Sequence, residues 1–193
     1  AESLWDMVRT GQDKDYQYYK AVNNAKREMY DMHTDLMGNY QQHNIKTVLT
    51  AAELLSNQGY KLSIPNTLAA LAHVKGITGL RGRWDWMQQS PAVICDVAHN
   101  SAGLKEVNSL KVDQKHIIIG FVKDKDIEES LALFPTDAVY YFCNAQIPRA
   151  LPSAELKIAA NKYGLNGNAY DTVETAVSAA KNAMTENDAL LIT

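Results

Sequence analysis

From residue 91 onward the chain alternates short apolar, β-rich runs with helical stretches, and this alternation restricts the fold more than any other feature. The runs are PAVICDVA (91–98), HIIIGFV (116–122), AVYYFC (138–143) and ALLIT (189–193), with a weaker one, GNAYD, at 167–171. Residues 103–110, 127–134, 153–163 and 172–184 read as the intervening helices. Strands that alternate with helices call for a mostly parallel sheet covered on both faces. Right-handed crossovers then give a Rossmann-like α/β layout. ALLIT ends the chain inside an apolar run, so a truncated end is expected.

The first 80 residues follow a different plan. DYQYYKAV and REMYDMHTDLMG are expected to pair as two strands around NNAKRE, while the opening 15 residues show no clear period. Ile45, Val48, Leu49, Ala52 and Leu55 recur at three and four residues, which predicts a helix over 39–58 stopped by Gly59. A second helix is expected over 64–75, capped by Ser63 with Pro65 in its first turn. These helices have no sheet of their own large enough to cover, so they are expected to belong to a domain whose larger part is absent. The stretch Gly79-Leu80-Arg81-Gly82-Arg83 reads as a linker, which gives domains at about 1–80 and 81–193.

Composition excludes several function classes. Hydrophobic residues make up 46% and charged residues 21% of the 193, a globular balance that a disordered chain lacks. A net charge of −3 argues against a broad basic footprint for nucleic acid. No apolar run approaches the roughly 20 residues that cross a bilayer. The opening AESLWDMVRTG has neither an initiator Met nor a basic segment followed by an apolar core, so it does not read as a secretory signal. Cys95 and Cys143 each close an apolar run and are expected to be small core residues in a reducing compartment, a catalytic thiol being the lesser reading.

Ligands of open parallel sheets bind at the carboxyl ends of the strands. Here those ends carry Asp96, His99 and Asn100, then Lys123 to Asp126, then Asn144, Gln146 and Arg149, all expected along one edge. The turn D-x-A-H-N brings a carboxylate, an imidazole and an amide together, suited to ribose hydroxyls, a carboxylate or an ammonium group. The plainer alternatives are polar loops, a helix cap from Asn100 or Ser101, and a structural His99. His33, His43, His73 and His116 show no ligand spacing, and no metal is assigned. G-x-x-x-x-G-K-[ST], G-x-G-x-x-G and G-x-S-x-G are all absent from the sequence.

Five motifs together carry a resemblance. Gly38-Asn39-Tyr40-Gln41-Gln42-His43-Asn44 is similar to the G-x-x-Q-x-x-N that opens a helix in folylpolyglutamate and dihydrofolate synthases. Gly82-Arg83-Trp84-Asp85 resembles their interdomain G-R-x-E. Asp96-Val97-Ala98-His99-Asn100 is similar to D-G-A-H-N. Gly120 to Asp126, ending D-K-D, resembles their G-x-x-x-D-K-D, and Pro148-Arg149-Ala150 their P-R-A. The motifs stand in the family's order across residues 38 to 150. The D-K-D favours this branch over the related Mur ligases of cell-wall synthesis.

The resemblance implies an ATP-dependent ligase that adds L-glutamate to dihydropteroate or folate through an acyl phosphate. It implies that residues 1–80 are the last part of a central ATPase domain and that 81–193 are a Rossmann-like C-terminal domain. The P-loop and the Mg2+ ligands would precede residue 1, and the chain alone would be inactive. By the same resemblance Asn44 would meet the adenine, Arg83 the ATP phosphates, Asp96 the ribose hydroxyls, and His99 the incoming glutamate. A cytoplasmic monomer acting on small molecules is expected. Val97 stands where Gly is usual, Ser101 where Pro is frequent and Asp85 where Glu is usual, which bears on substrate specificity. The alternatives are a fragment of a Mur-type cell-wall peptide ligase and a stand-alone, non-catalytic nucleotide-binding module.

Overall fold

The computed structural model describes residues 4–97, 101–123 and 127–193, and of residues 101, 102, 105 and 109 the backbone alone. The chain forms two compact units, Ala1–Arg83 and Trp84–Thr193.

In the first unit, β1 (Trp5–Gln12), β2 (Gln17–Asn23) and β3 (Glu28–Thr34) form an antiparallel meander in that order. β2 shows the period of a half-buried strand: Gln17, Tyr19, Ala21 and Asn23 point inward while Tyr18 and Lys20 face solvent. The β2–β3 turn is held by Asn23, whose Oδ1 accepts the N–H groups of Ala25 and Lys26 at 3.1 and 3.0 Å. Helices α1 (Gln41–Asn57), α2 (Ile64–Leu71) and α3 (Val74–Thr78) follow. Trp5, Met7, Tyr19, Ala21, Met32, Ile45, Leu49 and Leu71 make one core between the sheet and the first two helices.

Two expectations change here. The helices do have a sheet of their own, completed by β1, which pairs with β2 along its whole length. The helix expected over 64–75 is two helices. Asp35 Oδ2 accepts the Lys75 N–H at 2.9 Å, and His73 leaves the helical region at φ −134° and ψ 36°. An acidic side chain thus takes a first-turn donor of α3 and gives it a separate start. Ser63 caps α2 as expected, accepting the Asn66 N–H at 3.3 Å.

The second unit is a six-stranded sheet of order β4-β5-β9-β6-β7-β8. Its strands are β4 (Asp85–Gln88), β5 (Ala92–Cys95), β6 (Lys115–Ile119), β7 (Ala138–Cys143), β8 (Gly167–Tyr170) and β9 (Ala189–Ile192). All pair in parallel except β4, which runs antiparallel to β5 at one edge. Helices α4 (Ser101–Ser109), α5 (Glu128–Leu131), α6 (Ser153–Asn161) and α7 (Val173–Ala183) connect the parallel strands. Val93, Ile118, Tyr141, Cys143 and Leu190 pack with Ala176 and Ala180 of α7 on one face. By the pleat, Ile94, Ile117, Ile119, Tyr140, Phe142 and Leu191 take the other face, all buried. There Phe134 meets the Tyr140 ring edge-on. The Rossmann-like sheet with helices on both faces is therefore present, with β4 as an antiparallel addition.

Candidate functional site

Because β5, β9, β6 and β7 are parallel, their carboxyl ends share one edge of the second unit. The described members of the three polar clusters lie on that edge: Asp96 after β5, Lys123 after β6, and Asn144, Gln146 and Arg149 after β7. β9 stands between β5 and β6, so the Asp96 loop is two strand spacings, about 10 Å, from the Lys123 loop. The loops after β6 and β7 are tied together. Val122 bridges Ala150, the Lys123 N–H donates to the Arg149 carbonyl at 2.9 Å, and the Leu151 N–H to the Phe121 carbonyl at 2.8 Å. Asn144 Oδ1 accepts the Ser153 N–H at the start of α6. Lys123 and Arg149 are thereby exposed cations on two hydrogen-bonded loops.

Asp96 is 1% exposed. Its backbone N–H continues the β5–β9 ladder, donating to the Ile192 carbonyl at 3.0 Å. Its Oδ2 accepts the backbone N–H of Trp84 at 2.8 Å. Trp84 is itself 6% exposed and has φ 54°, a left-handed conformation that costs a bulky L-residue about 1–2 kcal/mol. Sequence reasoning singled out Arg83 and Asp96 but not Trp84, because an aromatic residue gives no signal for a left-handed backbone.

Arg83 closes the first unit, half-buried, with Nη1 donating to the Gly82 carbonyl at 3.3 Å. Asn44 lies in the first turn of α1, exposed, and its Nδ2 donates to Oε1 of the buried Gln41 at 2.9 Å. The entry to α1 demands glycine at 38: φ is 99°, and a Cβ there would sit 2.7 Å from the Tyr40 ring. His99 and Asn100 lie outside the described residues, as do Asp124, Lys125 and Asp126, so the geometry bears on Asn44, Arg83 and Asp96 only.

The thiols are poor nucleophiles. Burial, with the charges of Asp85 and Asp96 beside it, raises the Cys95 pKa, and burial pushes Cys143 up to about 11. Neither carries the thiolate that catalysis needs. Cys143 is a core residue as expected, whereas Cys95 is half-buried at the strand end. Among the described residues no group of three or more His, Cys, Asp and Glu could hold a metal ion, so no divalent ion is assigned to them. Among the described residues, too, no helix is long and apolar enough to cross a membrane.

Known proteins are similar to this chain in sequence and in fold. The dihydrofolate synthase/folylpolyglutamate synthase of Mycobacterium tuberculosis is 29% identical over 171 residues, 82% of this chain and 34% of that protein. E. coli FolC in complex with DHPP and ADP superposes with a TM-score of 0.70 at 22% identity, over 98% of this chain and 42% of that one. A bifunctional folylpolyglutamate synthase/dihydrofolate synthase with Mn, AMPPNP and L-glutamate bound gives 0.64 at 17% identity, over 93% of this chain and 43% of that one. The chain spans between a fifth and about a third of the length of the curated relatives it matches. A family model described as Mur ligase, glutamate ligase domain, matches residues 82–193. That match takes in the whole six-stranded sheet and more than half of the residues, and so the chain belongs to the Mur ligase family.

Proposed function

We propose that the gene product carrying this sequence is an ATP-dependent amide-forming ligase that adds L-glutamate to dihydropteroate, folate or both. The observation that carries this reading is the run of five motifs from Gly38 to Ala150, set on a chain whose residues 82–193 match a glutamate ligase domain. The names of the relatives support the folate branch. Nucleotide, folate precursor and glutamate in the structural neighbours support the substrate classes. On this reading residues 1–80 are the last part of a central ATPase domain and 81–193 the ligase domain. The protein works as a cytoplasmic monomer.

The reaction transfers the γ-phosphoryl group of ATP to a substrate carboxylate and releases ADP. The glutamate amine then attacks the acyl carbon, the amide bond forms, phosphate leaves and the amine loses a proton. The task of this chain's residues is to hold charge in place. Arg83 offers its planar fork to phosphate oxygens. Asn44 meets the adenine, Asp96 lies at the ribose end, and His99 orients the glutamate. The reaction uses Mg2+ to neutralise phosphate charge; its ligands are not assigned to this chain.

The test is ATP-dependent incorporation of labelled glutamate by the full-length gene product, with dihydropteroate and folate offered separately. Arg83→Ala is expected to lower kcat/KM about tenfold or more, the loss of one charge-assisted contact. A wild-type rate in that variant would remove Arg83 from the site. A second reading, a cell-wall peptide ligase, is equally compatible with the family match, which does not separate the two branches. Turnover with a nucleotide-sugar peptide and none with dihydropteroate would select it.

A further inference from the structure

We infer that Gln41 is a positioning residue: it sets which way round the Asn44 carboxamide is held, and so selects the 6-amino group of adenine over a 6-oxo purine. The inference rests on the reading of Asn44 as the adenine contact and adds a source of base specificity to it.

A carboxamide at a surface has no fixed sense. Its oxygen accepts and its nitrogen donates, and a half-turn about the last side-chain bond exchanges the two at little cost. Asn44 is exposed in the first turn of α1, yet its Nδ2 donates to Gln41 Oε1 at 2.9 Å. The spacing of three residues lets the two amides meet on one side of the helix. The bond leaves Asn44 Oδ1 and one Nδ2 hydrogen for a ligand, with acceptor and donor in a set order.

Gln41 serves as the reference because it is itself held. It is 2% exposed, and its backbone N–H donates to the Gly38 carbonyl at 3.1 Å. Its neighbours tie this turn to β1. Gln42 Nε2 donates to the Met7 carbonyl at 2.6 Å, and Arg9 Nη1 donates to Asn39 Oδ1. All of these residues belong to the first unit.

The order of acceptor and donor decides the base. Adenine offers a donor at its 6-amino group beside a ring-nitrogen acceptor. Hypoxanthine, the base of ITP, carries an acceptor oxygen at the same place. An amide fixed with its oxygen toward the 6-position pairs with adenine and sets acceptor against acceptor in hypoxanthine. An amide released from Gln41 can turn over and donate to that oxygen. Gln41 thus acts on base choice without touching the base.

The experiment compares kcat/KM for ATP and for ITP in the full-length gene product, as wild type, Gln41→Met, Gln41→Glu and Asn44→Ala. The ratio of the two values does not depend on how much of a preparation is folded, so a destabilised variant still reports. Gln41→Met has a similar size and no acceptor for the Asn44 amide, and should lower the ATP-to-ITP ratio about tenfold. Gln41→Glu retains the acceptor and should stay near the wild-type ratio. Asn44→Ala should lower the ratio too, and Gln41→Met should change it little further in that background.

A packing defect alone would slow both nucleotides alike, so a wild-type ratio in Gln41→Met would overturn the inference. A ratio lost as fully in Gln41→Glu as in Gln41→Met would overturn it as well, because the Asn44 donor would still have its acceptor. If Asn44→Ala loses the preference for ATP and Gln41→Met keeps it, only this inference fails. If Asn44→Ala handles both nucleotides as the wild type does, the adenine reading and this inference fail together.

Discussion

Asp96 Oδ2 stands 2.8 Å from the backbone nitrogen of Trp84 and fixes the point where β4 and β5 separate. The bond also has a stability consequence that is independent of any ligand. Hydrogen bonds to a charged partner contribute about 1.5–3 kcal/mol, and a buried donor left without an acceptor costs a similar amount. Asp96→Ala should therefore destabilise the chain by about 2 kcal/mol in denaturant unfolding, and Asp96→Asn by clearly less. Equal losses in the two variants would mean that the acceptor at Trp84 is not what Asp96 contributes.

Gly167 makes a sharper steric prediction. It pairs with Tyr140 at the first rung of β7–β8, and a Cβ built there would lie 1.8 Å from the Tyr140 carbonyl oxygen. That contact is with backbone, so no rotamer relieves it. Gly167→Ala should cost at least the 1–3 kcal/mol or so of ordinary overpacking. It should also raise amide exchange across β8, the edge strand. Gly11→Ala is the control, because a Cβ there meets nothing within 4 Å. Matching stabilities for the two variants would show that β8 does not approach β7 this closely.

The sequence made some of these elements plain and hid others, for physical reasons. Strands buried on both faces read as continuous apolar runs, so β6 and β7 stand out as HIII and AVYYFC. α1 stands out because Ile45, Leu49 and Ala52 share its buried side. β1 was silent. Only Trp5 and Met7 face inward, and the register shift between Arg9 and Gly11 breaks the period of two. β4 was silent as well, a four-residue edge strand with one buried residue. Strand order was not legible either, because nothing in ALLIT announces that the last strand inserts between β5 and β6. Of the site, Asp96 could be read from its place at the carboxyl end of a parallel strand, whereas Asn44 and Arg83 could be picked out only as members of motifs. What each touches, Gln41, the Gly82 carbonyl and the Trp84 N–H, depends on backbone geometry that no spacing rule carries.

Glu53 anchors the first unit, and its titration should be visible in acid. It is 5% exposed and accepts from Trp5 Nε1 at 3.2 Å, Asn23 Nδ2 at 2.8 Å and Lys26 Nζ at 2.8 Å. Burial alone would raise its pKa, but the Lys26, Asn23 and Trp5 donors outweigh burial and hold it below the usual carboxylate value. A depressed pKa gives stability that is present above the unfolded value, near 4.3, and is lost as pH falls through the folded one. Glu53→Ala should cost about 2–4 kcal/mol at neutral pH, chiefly through the two stranded N–H donors. Lys26 is half exposed, so its share is screened by solvent. A variant as stable as wild type at pH 7, or one that keeps the wild-type loss of stability in acid, would exclude this role.

His116 gives the opposite sign of reasoning with a similar direction in pH. It sits at the start of β6, 4% exposed, with Nδ1 2.9 Å from the Tyr141 hydroxyl. Its Nε2 is 3.7 Å from Asp188 Oδ2, beyond hydrogen-bond reach, and is buried without a partner. Burial lowers its pKa, and the Asp188 charge offsets only part of that. The Asp188 carboxylate is committed to Thr185, accepting its N–H and its Oγ1–H. Folding therefore favours the neutral ring. Its contribution is whole above the unfolded pKa near 6.5 and declines as pH falls below it, because the unfolded chain takes up a proton that the folded chain refuses. Unfolding free energy measured between pH 7.5 and 5 should fall in wild type. In His116→Gln, which keeps a polar group beside Tyr141 but cannot titrate, it should stay flatter. Parallel profiles for the two proteins would show that His116 ionises equally well folded and unfolded.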